Sequence, residues 1–393
     1  MDQKLWNKNF LNVCLSSFFI FSNFYLLTAT MPIYVKDNLQ GSATDISLVV
    51  SLYILGTVLL RPFSGKWADQ YGKRKVALIF LILFIICNVA YLGTKAIVPL
   101  LIVRFINGFG FSAATTSTAA LAMEWIPAKR KGEGVGYFSL FMSLAMVVGP
   151  ALGIFLANTF DYSILLTVAA AMAILSIIFA FFTNEKPKKE ETKTTLPQAK
   201  GIEQYIEKKA LPICVTAFLL AFAYSSIIAY IALFFNELGE KSYSMFFFIS
   251  MAVMIIITRP KIGKLYDKKG PNFLVYPGLI LLIAGLAVIS FSSNPIVLLI
   301  TAAVIGLGYG AIFPSFQTLC ISSAGPNRAG TASATFFLLY DIGIGLGSFV
   351  FGLISASIGI NNIYLVAAAI GGVCMLSYYL TMKNKVTRKK EII

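Results

Sequence analysis

Long, nearly charge-free segments are the feature that most restricts how this chain can fold. Examples are 76–92, 164–182, 274–290 and 363–380, and each approaches the length of about 20 residues that spans the hydrocarbon of a bilayer. Inside a bilayer every backbone amide must be hydrogen-bonded within its own segment, so spans of this length form helices rather than barrel strands of about 10 alternating residues. The sequence therefore predicts an all-α membrane protein.

Hydrophobic segments of this length recur along the chain, and together they predict twelve transmembrane helices. Hydrophobic residues make up 58% of the sequence and charged residues only 12%, which is too apolar a composition for a water-covered surface. The predicted spans are 10–33, 45–64, 75–94, 98–124, 134–157, 162–183, 209–235, 244–260, 273–292, 296–322, 331–355 and 362–382.

The basic residues fall mainly on one side of the predicted membrane. All but four of the 32 Lys and Arg lie in the termini, in alternate loops or at the adjoining helix ends; Lys36, Lys95 and Lys241 lie in the opposite loops, and Arg104 lies inside a span. This positive-inside pattern predicts a multi-pass cell-membrane protein with both termini in the cytoplasm. The net charge of +15 should therefore face anionic lipid headgroups, and nucleic acid is not an expected partner.

Cysteine and histidine usage indicates no metal site, disulfide framework or cofactor. The chain has no histidine, and its cysteines are odd in number and show no C-x-x-C spacing. The first apolar segment follows Lys4 and Lys8 as a signal peptide would, but it is too long for one and is predicted to be a retained helix. All five cysteines fall within predicted spans: Cys14, Cys87, Cys214, Cys320 and Cys374.

A repeated motif relates the two halves of the chain. The pattern Arg-Pro-x-x-Gly-Lys-x-x-Asp-x-x-Gly runs from Arg61 to Gly72 and again from Arg259 to Gly270, so every member is displaced by 198 positions. Identities at one offset and at equivalent places in the topology indicate duplication of a six-helix unit. The same offset pairs Gly108 with Gly306, Gly110 with Gly308, Arg130 with Arg328, Gly132 with Gly330, and Gly149 with Gly347.

The predicted architecture is two pseudo-symmetric six-helix bundles, 1–183 and 209–382, followed by a cytoplasmic tail at 383–393. The connecting segment, 184–208, is charged and poor in apolar residues, as expected of a cytoplasmic linker. Two membrane halves with a solute site between them suit alternating access, in which the site faces each side of the membrane in turn.

The loop between spans 2 and 3 combines glycines, which allow a tight turn, with an acidic residue that is able to meet a helix N-terminus. Its sequence is Gly65-Lys-Trp-Ala-Asp69-Gln-Tyr-Gly72-Lys-Arg74. This loop resembles the loop signature of the major facilitator superfamily. Within that superfamily, the chain resembles the group of twelve-helix drug:proton antiporters and metallophore exporters. The loop departs from the signature at Gln70, where Arg is usual. A single copy is also compatible with an ordinary basic turn, and the second copy favours the family. The resemblance implies a conformational switch formed by Gly65, Asp69, Gly72, Arg74, Gly263, Asp267 and Gly270.

Arg104 lies inside span 4 in a segment, Arg104-Phe-Ile-Asn-Gly-Phe-Gly, that is similar to the family's helix 4 motif. A guanidinium in hydrocarbon is costly unless it faces a cavity or a partner. The resemblance implies a role in proton coupling. The alternative is a side chain that extends to the outer surface near Pro99.

Asp341 is the one carboxylate predicted in the middle of a span. Burial favours its neutral form, so it is able to bind and release a proton or to pair with a cationic solute. Its segment resembles the Asp-x-Gly-x-x-x-Gly of helix 11 in several exporters, which implies proton coupling. The alternative is a packing role near Arg61 or a backbone amide, and Asp45, Glu124 and Glu133, near span ends, are expected to be solvated.

Span 5 carries Gly149-Pro150-Ala-Leu-Gly153, which resembles the signature typical of antiporters. Small residues four apart permit close helix approach, and the proline bends the axis. The match is partial, since Ala145 and Ile154 stand where glycines are usual, so a plain packing motif is the alternative.

Polar and aromatic side chains at mid-depth in helices 1, 4, 7 and 10 are the candidates for a solute cavity, because the resemblance implies that these helices line it. An aromatic and amide-lined cavity suits an amphiphilic organic solute, while helix packing is the alternative for each residue. Helix 1 has no carboxylate, which weakens the prediction of a multidrug cation exporter. The candidates are Asn23, Asn107, Tyr224, Tyr230, Tyr309, Phe313 and Gln317.

The predicted function is proton-coupled export of a small organic or amphiphilic solute by a monomeric secondary transporter, with drug resistance as a consequence. An uptake permease for a small nutrient, proton-coupled or facilitative, is the alternative. A membrane sensor or enzyme would need a soluble effector domain or a catalytic set, and loops this short contain neither, so no enzymatic activity is predicted.

Overall fold

The computed structural model describes residues 5–127, 130–185, 201–240, 242–324 and 328–390. Part of the predicted linker, 186–200, lies outside the described residues, as do Lys4, Lys241 and 391–393 of the predicted tail. The long helices are α1 Lys8–Asp37, α2 Ala43–Tyr71, α3 Lys73–Ala90, α4 Ile97–Trp125, α5 Lys131–Thr159, α6 Tyr162–Phe181, α7 Leu211–Glu237, α8 Tyr243–Lys269, α9 Asn272–Phe291, α10 Pro295–Ser323, α11 Ala329–Ile358 and α12 Ile360–Lys390.

The described helices include 11 that are long and apolar enough to cross a membrane. A twelfth crossing results if the bent pair Tyr243–Arg259 and Lys261–Lys269 forms one span. Their axes differ by 51° at Pro260, where a proline removes a backbone donor and bends a helix. The all-α prediction of twelve spans is confirmed.

The chain divides into two compact units. Unit 1 comprises Met1–Lys208 with Ala324–Thr335, and unit 2 comprises Lys209–Ser323 with Phe336–Ile393. The first turns of α11 therefore group with unit 1 and the rest of that helix with unit 2. The predicted domain boundaries stay a prediction.

Glycines hold the central helix of unit 1 close to its neighbours. In this unit α4 packs against α2 and α3, and α1 packs against α5 and α6. A Cβ placed on Gly108 would lie 2.8 Å from the backbone nitrogen of Thr57 in α2, and one on Gly110 would lie 3.0 Å from Cα of Phe84 in α3. Both helix crossings therefore require a residue without a side chain.

Unit 2 repeats this arrangement, because α10 packs against α8 and α9, and α12 packs against α7 and α9. Gly306 and Gly308 correspond to Gly108 and Gly110 of unit 1. A Cβ on Gly306 would lie 2.9 Å from Cα of Met251 in α8. A Cβ on Gly308 would lie 3.3 Å from the backbone nitrogen of Leu282 in α9. The offset of the repeat thus corresponds to equivalent helix crossings.

One face of α3 is left to the surroundings. Ile79, Ile82 and Ile86 are 52%, 52% and 59% exposed, which is unusual for large apolar side chains in water. Exposed isoleucines along one side of an apolar helix are the surface expected in contact with lipid tails.

Candidate functional site

Asp69, near the end of α2, caps the first turn of α11. Its carboxylate accepts hydrogen bonds from the backbone N–H groups of Gly330 and Thr331, at 3.0 and 2.8 Å, and from the Thr331 hydroxyl at 2.8 Å. The unpaired N–H groups at a helix start carry partial positive charge, so they stabilise a carboxylate. The structure supplies the helix-end partner that the motif indicated, while the role of Asp69 in a switch stays a prediction.

Gly65, one turn before Asp69, lets α2 approach α11 closely. A Cβ on Gly65 would lie 2.8 Å from the carbonyl oxygen of Gly330 and 2.9 Å from Cα of Thr331. From the other helix, a Cβ on Gly330 would lie 2.9 Å from the carbonyl oxygen of Gly65. Both glycines are therefore needed for the distance at which the Asp69 carboxylate reaches the helix start.

Gly72 ends α2 with a φ of 98°, a conformation that glycine adopts readily. The basic residues that follow connect this turn to the end of α6. The backbone N–H of Lys73 donates to the Glu185 carboxylate at 3.0 Å, and the Arg74 guanidinium donates to the carbonyl oxygen of Phe181 at 2.6 Å. Of the predicted switch residues, Gly65, Asp69, Gly72 and Arg74 lie in one continuous segment of unit 1 that runs from the end of α2 into the start of α3.

The repeated copy in unit 2 has a similar helix ending. Gly263 is buried within α8, and Gly270 ends that helix with a φ of 78°. A Cβ on Gly270 would meet no described atom within 4 Å, so backbone conformation rather than space requires glycine there. Asp267 is exposed, whereas its counterpart Asp69 is partly buried.

Arg104 is fully buried in α4. Its Nε donates to the carbonyl oxygen of Val49 in α2 at 2.9 Å, and its guanidinium stacks over the Tyr53 ring at 4.4 Å from the centroid. Its two terminal nitrogens have no hydrogen-bond partner in the described part of the chain. Because none of Arg104 is exposed, the alternative of a side chain that extends to the outer surface is excluded.

The two predicted amides of unit 1 have different surroundings. Asn107 is buried in α4, and neither polar atom of its side chain has a hydrogen-bond partner among the described residues. The side-chain nitrogen of Asn23, in contrast, donates to Oδ1 of Asn88 in α3 and to the carbonyl oxygen of Ala169 in α6, both at 2.7 Å. These contacts favour helix packing over the predicted cavity role for Asn23, and Asn107 stays a candidate.

Gly149 and Gly153 bring α5 against α1. A Cβ on Gly149 would lie 2.7 Å from the carbonyl oxygen of Ser22, and one on Gly153 would lie 3.1 Å from that of Leu26. Pro150 lies between them inside α5. The antiporter-like motif therefore forms a close helix crossing, and its bearing on transport direction stays a prediction.

The substitution Gly149→Ala is expected to destabilise the protein, because overpacking a helix crossing typically costs about 1–3 kcal/mol. The matched control is Gly372→Ala, where a Cβ would meet no described atom within 4 Å and the better helix propensity of alanine should be neutral or stabilising. Thermal unfolding in detergent should show a lower midpoint for Gly149→Ala alone. Equal midpoints would show that the crossing adapts without cost.

Unit 2 contains an aromatic cluster, which we define as Tyr224 of α7, Tyr309 and Phe313 of α10, and Tyr340 of α11. Tyr224 and Tyr309 stack with ring centroids 4.0 Å apart, and the hydroxyl groups of Tyr309 and Tyr340 are hydrogen-bonded. Phe313 stacks on Tyr309 and meets Tyr340 edge-on, with centroids 5.9 and 5.2 Å apart. The structure thus brings three of the predicted cavity residues together and adds Tyr340, which the sequence argument missed.

Asp341 follows Tyr340 directly and is partly buried in α11. The glycines after it hold this helix against α7: a Cβ on Gly343 would lie 2.9 Å from Cβ of Ala221, and one on Gly347 would lie 2.7 Å from the carbonyl oxygen of Phe222. Asp341 is therefore carried by a tightly packed helix and is next in sequence to Tyr340, a member of the aromatic cluster.

The remaining cavity candidates differ in their contacts. Gln317 is buried in α10, one turn after Phe313. The Tyr230 hydroxyl donates to the carbonyl oxygen of Ser348 at 2.7 Å, which ties α7 to α11 and favours a packing role. Within the described residues, no group of three or more His, Cys, Asp or Glu side chains is arranged to hold a metal ion.

Sequence reasoning missed an ion pair between Glu207 and Arg328 at the start of α11. Arg328 also donates to the carbonyl oxygen of Glu203 at 2.5 Å, and the backbone N–H of Glu207 donates to the Thr335 hydroxyl at 2.9 Å. These contacts hold the segment before α7 against the helix start that Asp69 caps. The only sequence signal was that Arg328 belongs to the repeat, with Arg130 as its counterpart.

Comparisons with known proteins agree with this architecture. A family model described as Major Facilitator Superfamily matches residues 13–348. Multidrug resistance protein MdtG of Dickeya zeae is 26% identical over 398 residues, covering 98% of this chain and 97% of that protein. The multi-drug resistance efflux pump PmrA homolog of Lactococcus lactis is 25% identical over 328 residues, covering 80% of each.

Among solved structures, the human organic anion transporter MFSD10 (TETRAN) matches with a TM-score of 0.80, covering 95% of this chain and 99% of that chain. The sequence identity is 15%, so this likeness shows a shared fold alone.

Proposed function

Since the chain belongs to the Major Facilitator Superfamily, we propose that it is a cell-membrane transporter that exports a small amphiphilic organic solute in exchange for protons. The observation that carries the proposal is the match to MdtG, a protein named for multidrug resistance, over 98% of this chain and 97% of its own length. A match over nearly the full length of both chains supports the same direction of transport.

The proton and the solute meet in unit 2 under this proposal. Asp341 binds the proton, and its neighbour Tyr340 belongs to the aromatic cluster on which an amphiphilic solute stacks. Protonation removes the charge of a partly buried carboxylate on the helix that carries Tyr340, so it changes the affinity for the solute. A ligand shifts a conformational equilibrium only through such a difference in affinity between states.

One helix carries both the proton site and the cytoplasmic contact. Helix α11 runs without interruption from Ala329 to Ile358, so Asp341 lies about three turns beyond Gly330, where Asp69 binds. We propose that this helix transmits the protonation of Asp341 to the contact with Asp69, with Arg104 as a second coupling residue in unit 1. The arrangement of Lys and Arg supports cytoplasmic termini, and because each chain holds both halves, the monomer is the proposed transporting unit.

The proposed direction can be tested in inverted membrane vesicles from cells that express the protein. Energised vesicles should accumulate a fluorescent amphiphilic dye and release it when a protonophore collapses the gradient, while vesicles from cells without the gene should not. Accumulation in right-side-out vesicles instead would indicate uptake and contradict the proposal.

A further inference from the structure

A buried polar cluster in unit 1 has donors without acceptors. It consists of Arg104 and Asn107 on α4 and Tyr91, which follows the end of α3, and none is more than 1% exposed. Both terminal nitrogens of Arg104, both polar atoms of the Asn107 side chain and the Tyr91 hydroxyl have no hydrogen-bond partner in the described ranges. Buried polar groups are nearly always paired, so a group of unpaired ones indicates a bound ligand or water.

The packing of α3 against α4 places the three side chains near one another. The two helices run antiparallel through a short connection, with Gly110 of α4 against Phe84 of α3. Moving along α3 from Phe84 and back along α4 from Gly110 leads to Tyr91 and Arg104. The Tyr91 hydroxyl and the Arg104 guanidinium face each other, in a contact that falls short of full hydrogen-bond geometry. Asn107 lies one turn from Arg104 on the same side of α4, so it joins the same cluster.

Arg104 has no counter-charge among the residues that the structure describes. No described carboxylate lies within ion-pair distance of its guanidinium, and an uncompensated charge in a span is costly. Asp45, one turn before Val49 on α2, accepts hydrogen bonds from the Ser42 backbone N–H and hydroxyl at 2.9 and 2.7 Å. The acidic residues of α4 and of the helices packed against it lie near helix ends: Asp37, Asp45, Asp69, Glu124 and Glu133.

Arg61, another buried arginine of unit 1, shows how the fold satisfies such a group. Its Nη1 donates to the carbonyl oxygen of Ser112 at 3.1 Å and to the hydroxyl oxygens of Thr115 and Thr116 at 2.6 and 3.1 Å. Helix α4 thus supplies acceptors to Arg61. The terminal nitrogens of Arg104 on that helix are left for a different acceptor.

We infer that Arg104, Asn107 and Tyr91 form a binding site for a compact anionic group, either a halide ion or the carboxylate of a solute. Guanidinium, amide and phenol groups supply N–H and O–H donors, and hydrogen bonds between a charged donor and an anion are the strongest of their kind. The Tyr53 ring lies under the guanidinium, with its centroid 4.4 Å from the central carbon, and both terminal nitrogens have no hydrogen-bond partner among the described residues. If the anion is the solute's own, the inference rests on the proposed function and adds that the solute is acidic.

The inference can be tested on purified full-length protein in lipid nanodiscs, with radioactive chloride as the first probe. We expect saturable binding and a thermal unfolding midpoint that is higher in chloride than in gluconate at equal ionic strength. Arg104→Gln should weaken binding at least about tenfold, because it removes the charge and the paired donors. Asn107→Ala should weaken it less and, with no change of charge, serves as the test if Arg104→Gln does not fold.

The matched control is Arg61→Lys. Arg61 is also buried, but its hydrogen-bond acceptors are groups of the protein itself, so this variant should retain chloride binding. A second experiment adds a carboxylate amphiphile and its neutral methyl ester. Competition with chloride by the acid alone would assign the site to the solute's carboxylate, and saturable chloride binding without competition would assign it to a resident halide.

The inference would be overturned if neither chloride nor the carboxylate amphiphile showed saturable binding that depends on Arg104 and Asn107. Internal water would then be the partner of these donors. Binding is measured at equilibrium without a proton gradient, so a failure of proton-coupled export in vesicles leaves this result unchanged. The two proposals can therefore fail separately.

Discussion

Replacing Asp341 by Asn is expected to reduce proton-driven export to the rate of protein-free vesicles while leaving the protein folded. Asparagine has nearly the shape of a protonated aspartate but cannot release a proton, so the cycle stops in the protonated form. Exchange of labelled for unlabelled solute needs no proton movement and should continue. The expected signature is therefore loss of gradient-driven accumulation with retention of solute exchange, measured in the same proteoliposomes.

The matched control for this substitution is Asp161→Asn, which changes a carboxylate just before the start of α6 in the same way. It should leave gradient-driven export near the wild-type rate. A thermal unfolding midpoint within a few degrees of the wild type would show that Asp341→Asn is folded. Full gradient-dependent export by the Asp341→Asn protein would remove this carboxylate from the mechanism.

Replacing Asp69 by Ala is expected to free the first turn of α11 and to lower the export rate strongly. The substitution removes three hydrogen bonds at a helix start, and loss of a helix-capping side chain typically costs about 0.5–2 kcal/mol. Hydrogen–deuterium exchange should accelerate at Gly330 and Thr331, whose N–H groups lose their acceptor. Asp69→Asn keeps one carbonyl oxygen as an acceptor and should give an intermediate effect.

The control for Asp69 is its counterpart in the repeat. Asp267 is exposed, and contacts of an exposed carboxylate are weakened by water, so Asp267→Ala should lower the export rate less than Asp69→Ala. Unchanged exchange at the start of α11 in the Asp69→Ala protein would show that the cap contributes nothing to the helix. Equal losses of transport in both variants would assign the two loops equal roles.

The fold could be predicted from the sequence because span length and the repeat are set by local rules. A bilayer fixes how long a helix must be, and close helix crossings fix where glycine must stand, as at Gly108 and Gly306. The partner of Asp69 followed from the same kind of rule, since a carboxylate in a turn suits a helix start. These features depend on a few neighbouring residues and on elementary chemistry.

The direction in which a polar side chain points could not be predicted in the same way. In a membrane helix both the lipid-facing and the protein-facing sides are apolar, so periodicity does not mark the inner face. Depth and polarity therefore predict a cavity role for Asn23, and only the structure shows that its amide binds Asn88 and Ala169. Tyr340 is not among the predicted residues because it lies in α11, outside helices 1, 4, 7 and 10, to which the resemblance limits the cavity.

Long-range pairs were also beyond the reach of the sequence. Glu207 lies in a polar segment that predicts a linker, and nothing in its spacing indicates that it pairs with Arg328, 121 positions away. The burial of Arg104 could be argued from the cost of a charge in hydrocarbon, but its unpaired nitrogens appear only once its neighbours are known.

Proton–solute exchange is tested most directly by the pH inside vesicles that carry the purified protein in the inverted orientation. The lumen is acidified first, and amphiphilic drugs, metallophores and sugars are then added one at a time. With the wild-type protein, an exported solute is expected to make protons leave the lumen; with Asp341→Asn or in protein-free vesicles, it is not. Entry of a solute that is independent of the gradient, with no proton movement, would contradict proton–solute exchange.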